Sequence, residues 1–265
     1  MTQALPSLET LRDVCTTIAE EAAQEIMRIY AGDHGVRDKD DRSPVTDADH
    51  AAEALILAGL RKLTPGLVII AEEEMAAGRV PTLDDGRPFW LVDPLDGTKE
   101  FIKKNGEFTV NIALVENGRP VLGIVLAPAT ETLWRGAKGL GADRREGKGP
   151  FTPIRTRTPP TGGLTACASR SHGTFNDLDI WFRNNNLTVA DRVQAGSSLK
   201  FCLIAEGQAD IYPRFGPTME WDTGAAQGVL EAAGGEVVTV DGKPLLYGKP
   251  RFANPHFIAR SLAAR

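Results

Sequence analysis

The run Phe89-Trp90-Leu91-Val92 ends on Asp93-Pro94-Leu95-Asp96-Gly97-Thr98, so any fold of this chain must carry an apolar strand directly into two carboxylates, a proline and a glycine. A short apolar run bounded by turn residues predicts a strand. Asp93 and Asp96 lie three apart across the proline, and a sharp bend there can bring both acids to one point. A plain Asp-Pro turn explains the pair equally well when it is taken alone.

The rest of the chain supplies the frame. Leu8, Leu11, Val14, Ile18, Ala22, Ile26 and Ile29 recur at steps of three and four, which predicts a long amphipathic helix ending near Gly32. Residues 33–42 are crowded with charge and read as a solvated loop. Thr46 and Asp49 fit a capping box ahead of a second helix carrying Ala52, Leu55, Ile56, Leu60 and Leu63. Leu67–Ala71 is of strand length and delivers Glu72-Glu73-Glu74, an exposed turn unless the strand end faces a cleft. Phe108 to Leu114 alternates, turns at Glu116–Pro120 and returns through Val121–Leu126, predicting an antiparallel hairpin. Thr132–Arg135 adds a strand, and Gly136–Gly149 reads as turns at the sheet margin.

A boundary falls within Thr152–Gly163, which holds three prolines and two glycines. It divides the chain into residues 1–151 and 152–265. Beyond it strands (Leu164–Ala168, Leu187–Val193, Ala209–Tyr212, Glu236–Val240) alternate with helices (Phe175–Arg183, Ser197–Glu206, Asp222–Ala233), the pattern of an α/β unit. The expected class is therefore α/β, an α+β N-terminal part followed by an α/β C-terminal part.

Two further acids join the pair. Glu72 ends the strand before Phe89, and strand ends on one edge of a sheet share a cleft. Asp222 opens a helix, where an N-cap is a sufficient explanation by itself. If Glu72, Asp93, Asp96 and Asp222 converge, four close negative charges require cations. An oxygen-only donor set points to a hard ion, Mg²⁺ rather than Zn²⁺, and two Mg²⁺ balance four carboxylates. Gly97 and Thr98 open the short helix Lys99–Ile102, whose free N–H groups suit an anion. The outline is that of a two-metal phosphate ester hydrolase, with Thr98 hydrogen-bonded to Asp49 to orient the attacking water. Such esters hydrolyse so slowly without help that accelerations reach ~10²¹.

Net charge is -5, which gives no general attraction to nucleic acid polymers. The N-terminal residues lack a secretory pattern, and no apolar stretch is long enough to span a membrane. Cys15, Cys167 and Cys202 are odd in number and widely spaced, and read as small buried residues of a cytosolic protein.

Taken together, Trp90–Thr98, Glu220-Trp221-Asp222-Thr223-Gly224-Ala225-Ala226 and Leu230-Glu231-Ala232-Ala233-Gly234-Gly235 resemble the signatures of the lithium-sensitive, magnesium-dependent phosphatases related to inositol monophosphatase. The likeness runs from Ser43-Pro44-Val45-Thr46 to Asn254-Pro255. Asp96–Lys103, Asn105–Leu114, Ser169-Arg170-Ser171-His172, Gly196–Cys202 and Tyr212–Thr218 look most like the bacterial 3'(2'),5'-bisphosphate nucleotidase branch, the CysQ type.

The resemblance implies a layered sandwich of alternating helices and sheets with the metals between two domains. It implies hydrolysis of adenosine 3',5'-bisphosphate to AMP and phosphate in sulfur assimilation. Glu72, Asp93, Asp96, Asp222 and the Leu95 carbonyl match the metal ligands, and Asp49 and Thr98 match the water-activating pair. Ser197, Lys200 and Arg214 match positions holding the second phosphate and the nucleoside, for which Lys200 and Arg214 carry suitable charge. A surface lysine and a loop arginine are their plain alternatives. The resemblance implies a cytoplasmic enzyme, with peripheral membrane association left open, and both a monomer and a homodimer fit. An inositol or sugar monophosphatase on the same scaffold is the rival reading, and a non-catalytic metal- or nucleotide-binding protein is a third.

Overall fold

Helix α1 (Leu8–Tyr30) follows the apolar spacing and is capped by Ser7, whose hydroxyl accepts from the Thr10 amide. The computed structural model describes residues 5–32, 37–38, 44–84, 86–169 and 175–262. Strands β1 (Arg37–Asp38) and β2 (Pro44–Val45) pair as a minimal ribbon before α2 (Asp47–Leu63). Most of the loop expected over 33–42, and Arg170-Ser171-His172, lie outside the described residues. There follow β3 (Val68–Ala71), α3 (Glu72–Ala76), β4 (Phe89–Asp96), α4 (Thr98–Ile102), β5 (Thr109–Glu116), β6 (Arg119–Ala127), β7 (Thr132–Ala137), β8 (Gly141–Glu146) and β9 (Thr152–Ile154). The second half holds β10 (Leu164–Ser169), α5 (Phe175–Asn184), β11 (Val189–Ala195), α6 (Leu199–Ala205), β12 (Ile211–Arg214), α7 (Gly224–Ala232), β13 (Gly235–Thr239) and β14 (Phe257–Ser261).

Strands β3 to β9 form a seven-stranded sheet in chain order, antiparallel except for the parallel pair β3/β4. The second sheet has the order β11-β10-β12-β14-β13. Both faces of the first sheet are covered, which is why β4 reads as a continuous apolar run. Trp90 and Val92 pack against α1 and α2, with Ile26, Ile56 and Leu60. Phe89 and Leu91 face the opposite core, shared with Phe201 of α6, Val229 of α7 and Phe257 of the second sheet. Phe182 of α5 covers the outer face of that second sheet. The layers are therefore α1/α2, sheet, α6/α7, sheet, α5, and the core is continuous through the middle helices.

Two details fix the spacing. The Trp90 indole N–H donates to Thr64 Oγ1 at 2.9 Å, satisfying a fully buried polar atom. Helix α7 lies so close to the first sheet that a Cβ on Gly123 would stand 1.9 Å from the Ala225 carbonyl oxygen.

Gly136–Gly149 is not only a set of turns, because β8 runs through its middle. Its sequence Asp143-Arg144-Arg145-Glu146 hides the strand, since its charges are matched by partners rather than kept in water. Arg135 meets Asp143 at 2.7 Å, Arg144 meets Glu206 at 3.0 Å, and Arg145 meets Glu20. The first sheet also takes in Thr152–Ile154 as its edge strand, paired with β8. Strand β14 was not expected from the sequence; it closes the second sheet between β12 and β13. All three cysteines are buried thiols.

Candidate active site

The C-terminal end of β4 is irregular where the acids begin. Its register against β5 shifts between Asp93 and Asp96, and the Leu95 amide donates to Asp93 Oδ1 at 3.0 Å. Strand and Asp-Pro bend thus coexist: the strand continues, and its bulge turns both acids to the sheet end. Gly97 follows at φ 96°, and a Cβ there would lie 3.1 Å from the Glu107 carbonyl oxygen, so glycine serves both conformation and space. Helix α4 starts at the next residue.

Helix α2 contributes Asp49. The capping box is present: Asp49 Oδ2 accepts from the Thr46 amide at 2.7 Å and from its hydroxyl at 2.6 Å. Its other oxygen accepts from Thr98 Oγ1 at 3.2 Å, across 49 residues of chain. Thr98 Oγ1 also stands 3.5 Å from the Leu95 carbonyl. The cap and the expected hydroxyl pair are therefore one arrangement, each using one oxygen of the same carboxylate.

Glu72 opens α3 at the end of β3. Asp222 is not the N-cap of α7, which is Thr223; its Oδ2 instead accepts from the Met219 amide at 2.8 Å, bracing the turn before the helix. Asn254 ties the same turn, donating to the Met219 carbonyl at 2.7 Å and to Thr223 Oγ1 at 3.0 Å.

These elements enclose an open cleft of about 220 Å³. Glu72, Asp96, Gly97 and Thr98 from the first half of the chain line it together with Ser197, Lys200, Tyr212, Arg214 and Asp222 from the second. Burial pushes the Asp93 carboxyl well above its ordinary range, and the charges of Glu72, Asp96, Asp222 and Asp49 push it further. Asp222 is raised for the same reasons, burial first, then Asp96 and Glu72. Burial also raises Asp96, against the Ser197 hydrogen bond and the Lys200 charge. Four carboxylates thus share one low-dielectric cleft with too little positive charge among them. Among the described residues, no three acidic, His or Cys side chains stand arranged as a ready-made ion cage. The donor chemistry nonetheless fits a hard divalent cation, because it is all oxygen and its mutual repulsion is what such an ion relieves.

The second half reaches the cleft through the turn before α6. Ser197 sits at φ 49°, a left-handed conformation rare for serine, and its hydroxyl donates to Asp96 Oδ2 at 2.6 Å. Lys200 is not a surface lysine. It is 4% exposed, and Nζ donates to the carbonyls of Ala195 at 3.1 Å and Ser197 at 2.5 Å. Burial pulls its ammonium down to about 8, while Asp96 opposes that shift. The lysine therefore fastens the strained serine turn beside Asp96. Arg214 donates to the Pro217 carbonyl at 3.2 Å, and its Nε is buried without a partner.

Sequence reasoning missed the polar brace behind this turn. Thr109 Oγ1 lies within hydrogen-bond distance of both Ser197 and Ser198 Oγ, and Ser198 Oγ donates to Asn111 Oδ1 at 2.8 Å. The Gly196 amide donates to Glu107 Oε2 at 2.8 Å. The available signal was Thr109 and Asn111, polar residues two apart on one face of an otherwise apolar strand.

Residues 7–265 match the model of the inositol monophosphatase family. The chain is 46% identical over 251 residues to the 3'(2'),5'-bisphosphate nucleotidase CysQ of Salmonella typhimurium, covering 93% of this chain and 98% of that one. The same nucleotidase of Escherichia coli K12 is 45% identical over the same share of each chain. Among solved structures, CysQ from Bacteroides thetaiotaomicron superposes with a TM-score of 0.80 at 36% identity, covering 95% of this chain and 97% of the other. An inositol monophosphatase from Anabaena gives 0.75 at 27%, covering 97% and 92%. A chain with these two sheets, this acid-lined cleft and these relatives belongs to the inositol monophosphatase family.

Proposed function

We propose that this protein is a 3'(2'),5'-bisphosphate nucleotidase that removes the 3'-phosphate of adenosine 3',5'-bisphosphate, releasing AMP and phosphate. The observation that carries the reading is the cleft, which gathers Glu72, Asp96, Asp222, Thr98 and Arg214 in one cavity, with Asp93 close enough to feel their charge and Asp49 bonded to Thr98. Relatives named as bisphosphate nucleotidases, at 45–46% identity along almost the whole chain, support the same choice of substrate.

Glu72, Asp93, Asp96, Asp222 and the Leu95 carbonyl would hold two or more Mg²⁺. When bound, these ions neutralise the phosphate and make a water acidic enough to attack at neutral pH. The protein's own groups then do the following. Thr98 donates its proton to Asp49, so its oxygen lone pair is free to accept from the attacking water. As the water attacks phosphorus, its proton passes to Thr98 Oγ1 while the Thr98 proton moves to Asp49; the bond between phosphorus and the ribose 3'-oxygen breaks, and that oxygen takes a proton from solvent and leaves as the 3'-hydroxyl of AMP. Asp49 keeps its orientation because Thr46 occupies its second oxygen with two donors. The amides of Gly97 and Thr98 at the start of α4 meet phosphate oxygens. Ser197 orients Asp96. Lys200 acts from beneath by fixing the Ser197 turn, and Arg214 supplies the cation for the second phosphate. Among the described residues, no helix is long and apolar enough to cross a membrane.

Comparing adenosine 3',5'-bisphosphate with adenosine 3'-monophosphate tests the reading. Wild type should show a higher kcat/KM for the bisphosphate. Arg214→Ala should lower that value by about 30-fold, the loss of one charge-assisted hydrogen bond of ~2 kcal/mol, with under about threefold change for the monophosphate. Equal wild-type values for the two nucleotides would overturn the proposal.

A further inference from the structure

Glu53 is a carboxylate 4% exposed, one helical turn after Asp49 on α2, and it faces α3 across the layer. Its Oε2 accepts from the Glu73 amide at 2.8 Å and its Oε1 from the Glu74 amide at 2.9 Å. These are first-turn amides of α3, which the helix cannot satisfy itself. The residue in the N-cap position, Ala71, offers no side-chain acceptor. Glu53 therefore caps a helix other than its own, from 20 positions earlier in the chain. The two bonds fix the corner at which β3 becomes α3, and the residue standing at that corner is Glu72, which lines the cleft.

We infer that Glu53 is a positioning residue for the metal site: from α2 it holds the β3–α3 corner so that the Glu72 carboxylate is presented to the cleft. One helix then orients both sides of the chemistry, with Asp49 holding Thr98 and Glu53 holding Glu72. A carboxylate is needed because two adjacent N–H groups require two acceptor oxygens and carry the positive end of a helix turn. Glutamine has nearly the same shape but turns one acceptor into a donor, which meets the second amide head-on. Burial pushes the Glu53 carboxyl up to about 7, with the charges of Glu73 and Glu74 adding to that rise and the two amide hydrogen bonds opposing it.

The inference rests on Glu72 being a cation ligand, and the experiment separates the two claims. Mg²⁺ binding to the metal-free protein is measured by titration calorimetry for wild type, Glu53→Gln, Glu72→Gln and Asp210→Asn. Asp210 is a buried carboxylate that accepts the Thr165 amide in the second sheet, so its variant reports the general cost of losing such a group. We expect Glu72→Gln to lose high-affinity binding and Glu53→Gln to weaken it by about tenfold, which is ~1.4 kcal/mol. At saturating Mg²⁺, kcat of Glu53→Gln should return to within about threefold of wild type, the mark of displacement rather than lost chemistry. Asp210→Asn should lower Tm yet leave Mg²⁺ affinity within about twofold. If Glu53→Gln does not fold, Glu53→Asp, which shortens the reach by one methylene, carries the same expectation. Unchanged Mg²⁺ affinity in a folded Glu53 variant, alongside lost affinity in Glu72→Gln, overturns the positioning role. Unchanged affinity in Glu72→Gln overturns the ligand reading and the inference with it.

Discussion

Asp93→Asn is expected to lower phosphate release by on the order of 10³-fold or more, about 4 kcal/mol of transition-state stabilisation, while making the metal-free protein more stable. The two effects have one cause. Asp93 is 1% exposed, and burial together with Glu72, Asp96, Asp222 and Asp49 disfavours its charge. Removing one of several buried like charges relieves their repulsion, and exchange of a buried charge for a neutral isostere is worth about 1 kcal/mol or more, roughly 2–4 °C in Tm for a chain of this length.

The pH dependence follows in sign. Asp93 titrates higher in the folded state than in the unfolded chain, so folding takes up protons between the two pKa values. The penalty of its charge is absent below the unfolded value and grows as pH rises toward the folded one. The stability gap between Asp93→Asn and wild type should therefore be widest near pH 8 and narrow toward pH 5. Added Mg²⁺ should raise the Tm of wild type and reverse the gap, since a ligand that binds only the folded state stabilises it by mass action. A variant less stable than metal-free wild type at pH 8 would contradict this account of the cluster.

Among the described glycines, Gly123→Ala should be the most damaging alanine substitution. The added Cβ would stand 1.9 Å from the Ala225 carbonyl oxygen and 3.1 Å from the Val229 amide nitrogen, both backbone atoms of the turns of α7 that cross β6. No rotamer change can relieve a backbone clash, so α7 must move off the sheet, and α7 lies with α6 between the two sheets. A cost on the order of 4 kcal/mol is expected, read as loss of soluble protein or as a large fall in the urea midpoint. Gly139→Ala is the comparison. Nothing lies within 4 Å of its added Cβ, and only its φ of 80° resists substitution, at about 1–2 kcal/mol.

Much of the site was legible because its residues occupy positions where apolar pattern and chemistry disagree. Glu72 and Asp93 sit where apolar strands end, and Thr46 with Asp49 reads as a cap from local spacing alone. That Asp49 also reaches Thr98 is a tertiary fact, since the second oxygen of a cap carries no mark in the sequence. Asp222 was readable as an acid near a helix start but not as the brace of the Met219 turn, because its register against α7 differs by one residue. Lys200 was legible as a charge and opaque as to its use. A lysine that donates to two carbonyls at a strained serine looks, in sequence, like any helix lysine. Strand β8 escaped for the complementary reason, its charges being neutralised by α1 and Glu206 from distant parts of the chain. Glu53 likewise reads as a polar residue on an amphipathic helix until α3 folds against it.

The most direct test is Mg²⁺-dependent phosphate release from adenosine 3',5'-bisphosphate and from inositol 1-phosphate by the same preparation, compared as kcat/KM. A preference for the bisphosphate of about 30-fold or more is predicted, because Arg214 adds a second-phosphate contact worth ~2 kcal/mol that the inositol ester cannot use. Equal values, or a preference for the inositol ester, would contradict the assignment.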